Sequence, residues 1–402
     1  MKFFRLICYF WIMFKSPFSQ ILVFLLSITL FSCGEKASDE IYVGKIEELV
    51  AGDLLVKKDS LTKNIEVKQV IHHQGIDFII SLADRERTIQ YYSIQTGEKV
   101  KEIKLPFDGP DSFKGYIGLL IAEGMDSLTI VNMDGWFYDY YQGNRIKEEH
   151  IDSKLEFPNT YYSSMYHGRR NNFTKVSESQ YQISVVPLVA PSSNFSGKTK
   201  AFDKIEEWII IFDSKENKAA VQNLTFPFGY RSDFVEDHLS YPPIVEIMDS
   251  KNYVLFPYSD SVFVMSDFKI VDRKKLDSGV EFNFIGGENI VRGEYGYVEL
   301  KKEASSHLDF LYDKYRNVFI RISKINESGA GETTRERTKH HLLSIYDADL
   351  NPISEYTFDF GPGSKLENYF IASDGFYLNK PDQVSEDQYE FYRLDLSKIK
   401  KP

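Results

Sequence analysis

Six times along this chain a run of apolar and aromatic residues enters a polar turn, and a second strand leads away from it. The runs are Thr88–Ser93, turning at Thr96-Gly97; Trp136–Tyr141, turning at Gly143-Asn144; Trp208–Asp213, turning near Glu216-Asn217; Ser261–Ser266; His341–Asp347, turning between Asp349 and Asn351; and Tyr389–Asp395. Gly, Asn and Asp relieve the backbone strain of tight hairpins. Upstream of most runs lies more strand-like sequence: Ile76–Leu82, Tyr116–Ile121 with Ser127–Asn132, Tyr253–Tyr258, Val318–Ser323 and Phe370–Leu378. Two strand pairs make a four-stranded antiparallel sheet. Six such sheets average about 60 residues each, which a blade repeat of ~40–50 residues reaches with insertions.

The expected fold is therefore all-β, a six-bladed β-propeller of four-stranded antiparallel blades. A seven-bladed propeller and a pair of β-sandwiches are the alternatives. The 26 Tyr and 31 Phe suit pleated surfaces buried against neighbours. Helix signals are scarce, and Lys45–Val50 suggests a single turn. Two insertions, Ala190–Glu206 and Asn326–Lys339, are rich in small and charged residues and read as solvated loops. The segment after Glu40 is expected to supply a strand that closes the ring with the last blade.

The first 32 residues read differently. Residues 3–14 and 21–32 are apolar runs separated by Lys15-Ser16-Pro17. Each is shorter than the ~20 residues that cross the hydrocarbon core, and a signal-peptide apolar region of ~7–15 residues is the better match. Leu30-Phe31-Ser32 before Cys33 has the form of a bacterial lipoprotein signal, with Cys33 as the lipidated residue. Met13 is a second candidate start, since it places Lys15 directly before one clean apolar run. The expected organisation is a signal peptide over 1–32, a lipidated tether over 33–50 and a propeller over 51–402. Several acyl chains on Cys33 suffice for stable membrane anchoring. Gly34 takes the place of the aspartate that retains enteric lipoproteins at the inner membrane, so the outer membrane is the expected location, facing either the periplasm or the surface.

Composition narrows the function classes. Cys8 leaves with the signal, so the mature chain has neither an internal disulfide nor a multi-thiolate metal site. Loss of Lys2, Arg5 and Lys15 takes the net charge from −11 to −14. An acidic surface argues against nucleic acid as a partner.

The stretch Tyr312-Asp313-Lys314-Tyr315-Arg316-Asn317-Val318-Phe319-Ile320-Arg321 resembles a motif of six-bladed propeller lipoproteins in Gram-negative envelopes, a family whose domain has no known function. The resemblance implies fold and location, and carries over no catalytic residue. Read physically, the motif is a hairpin: Leu308–Asp313 is an inner strand, Val318–Ser323 its partner, and Tyr315 and Arg316 occupy the turn. Arg321 alternates with Ile320 and Ile322 and so faces the other side of the sheet. Its guanidinium is aimed into the central channel or paired with a carboxylate of a neighbouring blade, as a buried arginine requires.

In a propeller, the connections between blades share one face with the connections joining second to third strands. Here that face would gather Phe107-Asp108-Gly109-Pro110, Phe228-Gly229-Tyr230-Arg231, Asp237-His238, Gly361-Pro362-Gly363 and both insertions. Tyr230, Arg231 and His238 are candidate ligand-binding residues, since Tyr and Arg stack on and hydrogen-bond a sugar or peptide. His167 and Arg169, in the basic cluster Met165–Arg170, are candidates for a carboxylate or phosphate. The pairs His72-His73 and His340-His341 point to opposite faces of a strand, so neither alone chelates a metal. Asp347, Asp349 and Asn351 have calcium-loop spacing, but Pro352 stands where that loop needs glycine, and a hairpin turn accounts for them. Neither a hydrolase elbow nor a helical zinc motif occurs. No cofactor is expected. The expectation is a lipid-anchored, non-catalytic binding propeller for a peptide, a protein partner or a glycan. The alternative is a hydrolase or lyase working in the central channel.

Overall fold

In a computed structural model the chain is a six-bladed β-propeller, and its described residues are all-β apart from short 3-10 turns. The structure describes residues 41–400 except 61, 63, 85–86, 152–159, 163–172, 185–186, 190–206, 224–242, 268, 286, 293–294 and 332.

Before the first complete blade come β1 (Tyr42–Lys45) and β2 (Val50–Lys57), joined by a 3-10 turn at Ile46–Glu48. The first blade holds β3 (Glu66–His73), β4 (Ile76–Asp84), β5 (Thr88–Ser93) and β6 (Lys99–Lys104); the second holds β7 (Ile117–Ala122), β8 (Ser127–Asn132), β9 (Trp136–Tyr141) and β10 (Asn144–His150). A small strand pair, β11 (Thr160–Tyr162) with β14 (Pro187–Val189), stands beside the third blade. That blade consists of β12 (Phe173–Lys175), β13 (Gln180–Ser184), β15 (Glu207–Asp213) and β16 (Lys218–Asn223). The fourth holds β17 (Ile244–Met248), β18 (Lys251–Leu255), β19 (Ser261–Ser266) and β20 (Lys269–Lys275), and a hairpin of β21 (Gly287–Arg292) and β22 (Tyr295–Leu300) follows it. The fifth holds β23 (Ser306–Asp313), β24 (Val318–Ser328), β25 (Thr338–Asp347) and β26 (Pro352–Phe360). The sixth takes β27 (Tyr369–Ala372), β28 (Gly375–Asn379) and β29 (Gln388–Leu394) from the end of the chain and β2 from its beginning.

All six runs picked out in the sequence are the third strands of their blades. A third strand is covered on both faces and flanked on both edges, so nearly every residue can be apolar or aromatic. The same logic explains the continuous run of β7, buried throughout. Leu120 and Ala122 join the core shared with the first blade, whereas Leu119 and Ile121 join the core shared with the third. This alternation repeats around the ring. The six hydrophobic clusters each mix residues of two adjacent blades: first with second, second with third, third with fourth, fourth with fifth, fifth with sixth, and sixth with first. The core of this protein is six wedges between blades.

The last of these wedges closes the circle. β2 pairs antiparallel with β29, Leu54 opposite Phe391 and Val56 opposite Tyr389, as the sequence led us to expect of the segment after Glu40. β1 adds something the sequence did not announce. This stretch, expected within the tether, pairs in parallel with β26 and makes the fifth blade five-stranded. The insertion Asn326–Lys339 is shorter than expected: β24 runs on to Ser328 and β25 starts at Thr338, leaving a loop of 329–337 around a 3-10 turn. No described helix is long and apolar enough to cross a membrane.

Polar side chains tie the blades where apolar contact ends. Gln69 exchanges two hydrogen bonds with the Ala122 backbone, Lys147 donates to the Ser214 carbonyl, and Gln182 donates to Asn252 (2.8 Å). Lys274 reaches Asn351 (3.0 Å), spanning the fourth and fifth blades.

Candidate functional site

The two ends of the ring are built differently. At one end the chain turns within a blade, at 74–75, 94–98, 123–126, 142–143, 176–179, 214–217, 249–250, 267–268, 314–317, 348–351 and 373–374. Each of these turns has two to five residues. The other end receives the connections between blades and those from second to third strands. There the spans between blade strands reach 105–116, 151–172, 185–206, 224–243, 276–305 and 329–337, and both extra strand pairs belong to them. We call these the short-turn and long-connection faces. Long connections on a rigid scaffold are where binding residues concentrate.

The expected site segments Phe107–Pro110 and Gly361–Gly363 are on the long-connection face. Tyr230, Arg231 and His238 fall in the span between β16 and β17, and His167 and Arg169 in that between β11 and β12; all five lie outside the described residues. So does Cys33. One described part of the face lies over the first two blades. Phe107 is 68% exposed, and the Arg87 guanidinium lies 3.3 Å from its ring centroid. Arg87 also donates to the Phe113 carbonyl (3.3 Å), which fixes the loop that presents the ring. At the end of the second blade Trp136 packs on His150, with centroids 4.6 Å apart, and Tyr116 is exposed. Buried Asn132 sets this corner, donating to the Lys114 carbonyl and accepting the Asp134 and Trp136 amides. Exposed rings beside cations can stack on a planar or apolar ligand surface and bond to its polar edge.

Arg321 is elsewhere. It faces the other side of β24 from Ile320 and Ile322, as alternation demands, and lies fully buried between the fourth and fifth blades. Its Nη2 donates to Glu355 (3.3 Å) and Ser344 (3.0 Å). The carboxylate thus comes from its own blade, and neither the channel nor a neighbouring blade supplies it. The Phe282 and Tyr346 rings flank the guanidinium, at 4.7 and 5.3 Å. Glu355 also accepts from the Ser278 hydroxyl and the Gly279 amide, anchoring the connection after β20 as a wedge between the two blades. Beside it His307 accepts from Ser323 (2.8 Å) through Nδ1 and donates to the Ser259 carbonyl (3.0 Å) through Nε2. Burial, reinforced by the Arg321 charge, pushes its pKa well below the usual histidine range. A neutral imidazole fits both bonds.

The hairpin of the resemblance motif is as expected, and its chemistry links blades. Asp313 accepts the Tyr315 and Arg316 amides and pairs with the Arg316 guanidinium (2.6 Å). Arg316 then donates to the Ala372 and Ser373 carbonyls of the sixth blade. The Ser373 amide donates to Asp77 of the first blade (2.7 Å), whose other oxygen accepts from His72 Nδ1 (2.6 Å). Burial would raise the Asp77 pKa, but the bonds from Ser373 and His72 outweigh it and hold it below the usual range. This chain of clamps across three blades was missed in the sequence, although Asp313 and Arg316 stood inside the quoted motif.

The remaining sequence candidates are structural. His340 bonds Asp359 (2.8 Å), while His341 is buried on the opposite face against Phe358. Asp347 accepts the Asp349 and Asn351 amides, so this stretch is a hairpin turn. Among the described residues no three of His, Cys, Asp and Glu are grouped to hold a metal.

Comparison with known proteins agrees with this architecture. The profile of a domain of unknown function, DUF4221, matches residues 49–357. A crystal structure of a DUF4221 family member from Bacteroides vulgatus superposes with a TM-score of 0.66 at 16% identity, covering 88% of this chain and 98% of that one. A putative exported protein from Bacteroides fragilis superposes with a TM-score of 0.47 at 10% identity, covering 88% of this chain and 99% of that one. No curated protein matches the sequence.

Proposed function

This chain belongs to the DUF4221 family, a propeller family of unknown function, and on that premise we propose that it is a lipid-anchored outer-membrane protein whose long-connection face binds a peptide, a protein partner or a glycan, in a non-catalytic role. The observation that carries the binding reading is the asymmetry of the ring. One end is closed by turns of two to five residues and stitched by the Arg316–Ser373–Asp77 clamps. The other presents the long connections and the exposed Phe107 ring with the Arg87 guanidinium against it. A rigid ring loses little freedom on binding. The anchor reading rests on the Leu30–Cys33 signal.

Crosslinking in native membranes, followed by recovery of the lipidated protein, tests the binding reading. Recovery of a stoichiometric partner or glycan that is lost with Phe107→Ala supports it; the same yield from a variant altered on the short-turn face only, Lys251→Ala, serves as control. Capture that Phe107→Ala leaves unchanged removes the Phe107 surface from the site. The anchor has its own test. Cys33→Ser should abolish lipidation and release the protein from the outer-membrane fraction, and retention there would refute the anchor.

A further inference from the structure

We infer that the short-turn face is turned toward the lipid and the long-connection face away from it; the inference rests on the Cys33 anchor proposed above. β26 begins at the short turn 348–351 and runs toward the long-connection face. β1 lies parallel to it with Tyr42 opposite Ser354, so the chain enters the ring near its short-turn end, on the outer edge of the fifth blade.

The entry point is fixed in place. The Tyr42 hydroxyl donates to Glu48 (2.7 Å), and Lys400 from the end of the chain donates to Tyr42 (2.6 Å) and Glu48 (3.0 Å). The Tyr42 ring packs edge-on against Tyr356. The wedge after β20 presses on the same place: a Cβ on Gly279 would stand 2.7 Å from Val43 Cγ2 and 3.2 Å from the Ile41 carbonyl oxygen.

From Cys33 only Gly34 to Ile41 intervene before this fixed point. Eight residues span at most ~28 Å when fully stretched. The six steps from Ser354 to Phe360 rise ~20 Å along β26, and the long connections stand above that. To bring the long-connection face down to the headgroups, the tether would have to run almost straight up the side of the blade. Bringing the short-turn face down asks nothing of it. The face proposed to bind is thereby left open to the surroundings of the membrane.

The tryptophans report this directly. Trp136 is the first residue of β9 and Trp208 the second of β15, strands that both begin at the long-connection end, and Trp11 lies in the expected signal segment. The lipidated protein is placed in phosphatidylcholine vesicles carrying dansyl-labelled headgroups, and energy transfer from tryptophan to dansyl is measured. Transfer from the native protein should be weak, and Lys314→Trp or Lys251→Trp, each on the short-turn face, should raise it several-fold. Native transfer as strong as that from the added tryptophan would overturn the inference. Should the purified protein carry no lipid on Cys33, the anchor reading fails by itself. The same chain coupled through the Cys33 thiol to a maleimide lipid then reads the orientation independently.

Discussion

Asn368 grips Val67 across the seam between the last blade and the first. Its Oδ1 accepts the Val67 amide (2.9 Å), while its Nδ2 donates to the Ile65 carbonyl (2.9 Å) and the Tyr389 hydroxyl (2.8 Å). One buried amide therefore satisfies backbone groups on a strand some 300 residues away. Asn368→Ala leaves the Val67 N–H and Ile65 C=O without this partner, at about 1–3 kcal/mol per stranded group. Urea unfolding should show a lower midpoint with an unchanged m-value.

The Arg321–Glu355 pair is as buried as any among the described residues, at 0% and 1% side-chain exposure. Removing one partner of such a pair leaves an uncompensated charge and costs about 3–5 kcal/mol. Glu355→Ala should cost this much, and more than Arg321→Met combined with Glu355→Gln, which removes both charges. A double-mutant cycle on thermal unfolding checks the order. Equal losses would mean that the anchoring of Ser278 and Gly279, and not the ion pair, is what Glu355 supplies.

Gly97 turns between β5 and β6 with φ +69°, and a Cβ there would fall inside the Leu55 carbonyl of the closing strand. Gly143 occupies the corresponding turn of the second blade with φ +82° and open space around it. Gly143→Ala should cost only the left-handed strain, about 1–2 kcal/mol. Gly97→Ala must in addition push β2 off the first blade, and should cost roughly 2 kcal/mol more. Parallel melts of the two variants separate strain from collision.

His307 links stability to pH. Its pKa is lowered in the folded ring by burial and by Arg321, while the unfolded chain takes up its proton near the ordinary value of about 6.5. Below that pH the unfolded state binds the extra proton, so this stabilising contribution is complete above about 6.5 and is lost as pH falls. The limiting slope is about 1.4 kcal/mol per pH unit. Denaturant titrations from pH 7.5 to 5 should show a shallower decline for His307→Phe than for the parent. Identical slopes would show that His307 already accepts its proton inside the fold.

Much of the ring was legible because a propeller strand is buried on two sides, and two-sided burial writes itself as an apolar run. Ile209-Ile210-Ile211-Phe212 and Val262-Phe263-Val264-Met265 leave little choice of structure. β12, at three residues, carries no such run, and β1 reads Tyr-Val-Gly-Lys, which any edge or turn could hold. The face of Arg321 followed from alternation, but its partner did not: Glu355 lies 34 residues on, and only the register of β24, β25 and β26 brings the two together. The clamps escaped for the same reason, since the acceptors of Arg316 in the sixth blade are backbone carbonyls, which have no signature in a sequence. The candidate face was legible as a set of connections, because chain order alone decides to which end a connection belongs.

β2 is made early and paired late. Its partner β29 spans Gln388–Leu394, so during synthesis the sixth blade stays incomplete until all five other blades have been made. Until then β2 has an unpaired edge, and the wedges on either side of the sixth blade are uncovered. Contacts of such sequence separation are slow to form.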